Sequence, residues 1–349
     1  MYARELAIIL LLILSASSQV WAPSSQSYLP EIQRAVSYLV SHYNPKVGLI
    51  YESEDAGKTH WLARTEYPNF HWKYSQVFWL YSDNLFAAYA LLPYDPELAH
   101  EINATLHRYN PPFSNKFESV IGFPVGPDRS ARDVIVNQSD TFVVLYRIHD
   151  GPIGDSKIPF ADAIIYRALS EYYLGDTELA VKDVNWAASL WNGTCLVDHG
   201  VTQRTLTASD APSDIQWCTN MKVALLLYGA QVIGVNLPNF NQLESHLWSM
   251  QNKDGGITTL ATGQGQPSGS ANCETTALTL LVYNRALISR LHEQPISKIP
   301  DLPRNTIDLH TFTLMHVVDY PTKKTVLSRL LFQRCFDLVV RVFSWRFLH

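Results

Sequence analysis

The sequence predicts a mainly α-helical protein in which buried and half-exposed helices alternate as two layers of helical hairpins, interrupted by one small β-hairpin insertion. Three observations carry this prediction. Strongly apolar segments (83–92, 160–174, 217–235 and 274–287) alternate with amphipathic ones (97–109, 178–191 and 240–250). A helix that is apolar all round is buried, and one with a single apolar stripe faces water. The later apolar segments begin near residues 162, 219 and 274, so the steps are 219 − 162 = 57 and 274 − 219 = 55 residues, one two-helix unit plus a long loop. The wider interval between 83 and 162 holds the one β-rich stretch.

Each element has a local reason. Segment 29–43 places Ile32, Ala35, Val36, Leu39 and Val40 on one stripe, with Pro45 and Gly48 beyond its end. Segment 83–92 starts on an acid and stops at Pro93. Pro96 sits where a first helical turn tolerates it and opens the next helix. Residues 132–136 and 141–148 are β-rich and flank the turn sequence Asn137-Gln-Ser-Asp140, which reads as a hairpin. Gly175 ends segment 160–174, and Asp176 caps the helix that follows. The glycine-rich run from Gly255 to Gly269 reads as a flexible polar loop.

The chain ends are of different character. Residues 1–22 read as a signal peptide: Arg4, an apolar run from Leu6 to Leu14, then small residues around Ala16 and Ser18. The run is too short to span a bilayer comfortably, and the alternative reading is an uncleaved N-terminal anchor extending to Ala22. Residues 23–294 form the predicted helical domain, with the β insertion at about 117–150. Residues 295–349 read as a proline-rich linker and a helical tail, whose basic amphipathic stretch 325–348 is a candidate for contact with a membrane surface. Export agrees with three sequons, at Asn103, Asn137 and Asn192. The expected location is therefore secreted or at the extracellular surface.

Composition narrows the function classes. Lys and Arg total 27 against 32 Asp and Glu, for a net charge of −5. This balance excludes a generic nucleic-acid binder, which needs a basic stripe. With 47% hydrophobic residues the chain is not of disordered type. The cysteines, Cys195, Cys218, Cys273 and Cys335, show no zinc spacing, so neither a metal nor a cofactor is expected. Either Cys195 and Cys218, the nearest pair, form a disulfide, or the thiols are free and buried.

Acids recur at the starts of the apolar segments: Asp83, Asp162, Asp214 and Glu274. Two readings compete. A carboxylate there can cap the helix, satisfying orphan amides. Alternatively the acids converge as a catalytic set, since cleaving a glycosidic bond takes one protonated and one ionised carboxyl group. Aromatic residues crowd the stretch before Asp83. Trp61, Trp72, Tyr74, Trp79 and Tyr81 are candidates for stacking on sugar rings, against the reading that they fill the core.

The segments Gln251-Asn-Lys-Asp-Gly-Gly-Ile257 and Gly269-Ser-Ala-Asn-Cys-Glu-Thr-Thr-Ala-Leu278, with the alternating hairpins, resemble the (α/α) toroid superfamily of six-hairpin glycosidases, polysaccharide lyases and terpenoid cyclases. The run from Trp79 to Leu91 is also similar to a group of exported archaeal proteins of unknown function. The resemblance covers roughly residues 28–290. It implies an (α/α) toroid whose mouth gathers the four acids. It also implies a carbohydrate-active enzyme, hydrolase or lyase, acting on a polysaccharide or glycan. The alternatives are a non-catalytic glycan- or protein-binding surface protein and, third, a terpenoid cyclase-like activity. The acid-rich motif of the cyclases is missing, and the Cys-Gly-Glu-Gln of the thioester proteins is replaced here by Cys273-Glu-Thr-Thr.

Overall fold

The computed structural model describes residues 28–54, 74–110, 116–125, 131–149, 160–198 and 217–293. All of them belong to one of two compact units, Met1–Thr306; the other, Ile307–His349, lies outside the described residues. The signal peptide, Trp61, Trp72, Asp214 and the tail at 325–348 also lie outside them.

The expectation of a mainly α toroid is corrected by the structure. Eight strands in three small sheets stand among the helices of the described residues, and the fold is mixed α/β. Strands β1 (Tyr43–Asn44) and β2 (Leu49–Ile50) form a tight antiparallel pair behind helix α1 (Leu29–Ser41). Strand β3 (Gln76–Trp79) runs parallel to β5 (Phe142–Ile148), which pairs antiparallel with β4 (Arg132–Gln138). The predicted hairpin is thus one part of a mixed sheet. The third sheet joins β6 (Trp217–Thr219), β7 (Thr258–Thr262) and β8 (Pro267–Ala271). It replaces the expected glycine-rich loop and the first turn of the helix expected at 217. Short strands of this kind are held by partners far away in sequence, so hydrophobic periodicity does not reveal them.

The helices pack in the sequence-predicted order of burial. Helix α2 (Phe86–Leu91) is buried on every face, and helices α4 (Ala161–Leu174), α6 (Asn220–Ile233) and α8 (Cys273–Leu281) are buried over most of theirs. Helix α2 packs on α8, α8 on α6, and α6 on α4. Amphipathic partners cover them: α3 (Pro96–Tyr109) on α2, α5 (Thr177–Ser189) on α4, α1 on α8, and both α7 (Phe240–Ser249) and α9 (Arg285–Glu293) on α6. Asp95 and Asp176 cap α3 and α5 by accepting from the amides of Leu98 and Leu179, both at 3.1 Å.

Buried amides tie sheets to helices. Asn84 donates to the carbonyls of Ile50 at 2.9 Å and Trp79 at 2.8 Å, and its Oδ1 accepts from the Ile50 amide at 2.7 Å. Asn220, at the start of α6, donates to the Thr258 carbonyl of β7 at 2.8 Å. The backbone of Glu52 spans two elements: its amide donates to Val77 of β3, and its carbonyl accepts from the Cys273 amide that begins α8, both at 2.8 Å. Gly255 has φ +97°, and a Cβ there would overlap the carbonyl of Arg34 in α1.

Candidate functional site

Four segments bring ionisable side chains together at the N-terminal ends of the buried helices. Glu52 follows β2. Asp83 lies in a π-helical turn, Leu80–Leu85, that leads from β3 into α2. Asp162 and Glu274 stand in the first turns of α4 and α8. Of the four acids singled out in the sequence, Glu274 lies within electrostatic reach of both Asp83 and Asp162; Asp214 lies outside the described residues.

None of the three stands at the N-cap position of its helix, although Asp162 accepts from its own first-turn amide. Asn272 caps α8, accepting from the Thr275 amide at 2.9 Å. The first amide of α4, that of Ala161, donates at 2.7 Å to Asp198, a residue from the segment after α5. Asp83 accepts from the Ser82 hydroxyl at 3.0 Å, and its π-helical turn has no side-chain cap. Asp83 and Glu274 are thus free of the structural task that would otherwise explain them, whereas Asp162 still satisfies one amide of its helix start.

Their environments differ. Glu274 is half-buried, and burial followed by the nearby charge of Glu52 raises it to about pKa 7, against the opposing pull of Arg147 and Lys116. Asp83 is fully buried. Burial, then the charges of Glu52 and Glu274, push its carboxyl well above the usual range. Its Oδ2 has no hydrogen-bond partner among the described residues. For Asp162, burial alone would act in the same direction, but Lys116 and Lys222 outweigh it and hold the group below the ordinary value. Lys116, in a 3₁₀ turn (Lys116–Ile121), donates to Asp162 at 3.2 Å. Lys222 lies 3.9 Å from the other oxygen. The charge of Asp162 also raises Glu274, so a proton-retaining and a proton-losing carboxyl lie within electrostatic reach of each other.

Tyr166, one turn along α4 from Asp162, feels the charges of both Glu274 and Asp162, and burial ahead of them pushes its hydroxyl well above the usual range. Its buried hydroxyl has no partner among the described residues. The Lys116 ammonium sits 5.2 Å from the centre of its ring.

Burial argues against an open stacking face for three of the five aromatic candidates; Trp61 and Trp72 lie outside the described residues. Tyr74, Trp79 and Tyr81 each expose under a tenth of their surface. Tyr74 and Trp79 pack with Val77, Val143 and Leu145 in a small core between β3 and β5. Trp79 nevertheless serves the site from beneath: its indole N–H donates to Glu52 at 2.9 Å, and its ring lies 5.3 Å from the Arg147 guanidinium. Arg147 in turn makes two bonds to Asp133, at 2.7 and 3.0 Å. Tyr81 bonds to Glu118.

Sequence reasoning missed Glu52, Lys116, Arg147, Asp198 and Lys222. Lys222 stands in the first turn of α6, where a cation faces the positive end of the dipole, but this was hidden in the sequence because the helix was expected to begin at 217 and begins at Asn220.

Cys195 and Cys218 form a disulfide, with Cα atoms 5.7 Å apart. Cys273 is a buried free thiol whose Sγ donates to the Tyr51 carbonyl. Asn137 and Asn192 are exposed sequons, whereas Asn103 is buried within α3, so the expectation of a glycan there is corrected. No cluster of metal-ligating residues occurs among the described residues, and no helix among them is long and apolar enough to cross a membrane. No protein-family model matches the chain, and comparison with curated proteins and with solved structures returns no match.

Proposed function

We propose that the protein is an exported glycan-cleaving enzyme of the hydrolase type, with Glu274 as general acid and Asp162 as the ionised partner. One observation carries the reading: two carboxyl groups in the first turns of α4 and α8, within electrostatic reach of each other, have proton affinities driven in opposite directions. Groups whose surroundings separate their pKa values in this way divide acid and base roles between them. Near pH 7 Glu274 still holds its proton part of the time and can give it to a leaving sugar oxygen. Asp162 stays charged, as base or nucleophile. Asp83 keeps a proton in the interior and lends an acceptor or donor edge to whatever lies beside it.

A polysaccharide panel read by released reducing ends tests this. Glu274→Gln and Asp162→Asn are each expected to lower turnover by about 10²–10⁴-fold while the thermal transition is retained, the range that general acid–base catalysis supplies. The pH profile adds a directional check: only protonated Glu274 donates, so activity declines as pH rises through about 7. Glycan binding without turnover in the wild-type protein would instead favour a binding role for the same face.

A further inference from the structure

We propose that Lys222 is a positioning residue that holds Asp162 in its charged, oriented state, and that the Cys195–Cys218 disulfide keeps Lys222 in place. This rests on the reading of Asp162 as the ionised partner. Lys222 is buried and stands in the first turn of α6, where the helix dipole repels a cation. It stays because Asp198 grips it with both oxygens, at 2.8 and 2.7 Å. The same Asp198 oxygen that lies 2.7 Å from Lys222 accepts from the Ala161 amide, the residue next to Asp162. The second neighbour of Lys222 is Asp162 itself, at 3.9 Å. The chain of charge therefore runs from Asp198 through Lys222 and Asp162 to Lys116.

The disulfide lies at the base of this chain. Cys195 precedes Asp198 by three residues, and Cys218 precedes Lys222 by four; both cysteines are buried. The cross-link thus joins the two segments that carry the ion pair, and limits how far Asp198 and Lys222 separate. The charged and titratable groups facing Asp162 are Lys116 from the 3₁₀ turn, Lys222 from α6, Glu274 from α8 and Tyr166 from its own helix. Lys222 is the member of this set fixed by an anion that stands beside Asp162 through the backbone of α4.

The test titrates Asp162 directly, by carboxyl ¹³C resonances of aspartate-labelled protein, assigned by their loss in Asp162→Asn. Lys222→Met is expected to raise the Asp162 pKa by about one unit, equivalent to roughly a tenfold change in its proton affinity. Lys222→Gln, which keeps a hydrogen bond to Asp198 and favours folding, is expected to do the same. Lys222→Arg restores the wild-type titration. The double variant Cys195→Ala/Cys218→Ala shifts Asp162 in the same direction by a smaller amount. An unchanged Asp162 titration in folded Lys222→Met or Lys222→Gln overturns the positioning role; an unchanged titration in the double variant overturns the part given to the disulfide. Because the readout needs no substrate, a wild-type protein inactive on every glycan defeats the enzymatic reading while leaving this one to stand or fall by its own titration.

Discussion

Glu274 shows how one side chain links stability to pH. Its folded pKa of about 7 lies above the ordinary value of 4.5. The folded state therefore binds this proton more tightly than the unfolded chain does. The resulting stability is fully present below 4.5 and is lost as pH rises through about 7; complete loss corresponds to on the order of 3 kcal/mol. Asp83 acts with the same sign. The melting temperature of the wild-type protein should thus be lower at about pH 8 than at about pH 5. In Glu274→Gln the difference should shrink, since glutamine has no proton to lose. Calorimetry at the two pH values checks this, and an equal pH dependence in both proteins would show that Glu274 is not held in its neutral form. Asp162 has the reverse sign: its contribution is present above the ordinary aspartate value and lost as pH falls through its depressed one. The identities of Asp83, Asp162 and Glu274 were legible as acids at helix starts. The part taken by Asn272 and Asp198 at the starts of α8 and α4 was not, because these acceptors are recognised only once the backbone is in position.

At the scale of elements, the legible parts are those that local chemistry decides. Pro96 and Asp176 announce the starts of α3 and α5; the structure has Asp176 as the cap of α5 and adds Asp95 as the cap of α3. The β4–β5 hairpin was readable from β-branched runs around a turn. Strand β3 was not: Val77, Phe78 and Trp79 read as one aromatic stretch, and their partner β5 lies far along the chain. Strands β7 and β8 were hidden by glycine and threonine, whose weak hydrophobicity resembles that of a loop. Two substitutions test these junctions. Asn84→Ala strips hydrogen bonds from two groups of Ile50 and one of Trp79, all buried, and is expected to cost about 3 kcal/mol in denaturant melts. Gly255→Ala forces a side chain onto a left-handed backbone against Arg34. It should destabilise by about 2 kcal/mol, with the loss appearing in the unfolding transition rather than in turnover.

For the molecule as a whole, the disulfide is the one covalent tie among the described residues, and it closes a span of 23 residues. A closure of that length removes about 3 kcal/mol of freedom from the unfolded chain. Replacing both cysteines by alanine should lower stability by about that amount in equilibrium unfolding, and a loss near zero would mean that the unfolded chain is already restricted there. Which helices are buried and which are amphipathic was legible from apolar periodicity. The mixed α/β class was not, because its sheets are made by short segments that gain their partners only from distant sequence.

The parallel pairing of β3 with β5 also sets a timetable for synthesis. Gln76 aligns with Phe142, so 142 − 76 = 66 residues separate the partners. At the usual pace of translation β3 is complete roughly 3–13 s before β5 leaves the ribosome. During that interval Val77 and Phe78 belong to an apolar strand with an open hydrogen-bonding edge, and β4, which emerges between them, finds its own partner only when β5 follows. The newborn chain therefore passes through a period of exposure whose length is written into the strand order, and the fraction that reaches the folded state should fall as synthesis is crowded or slowed within residues 80–141.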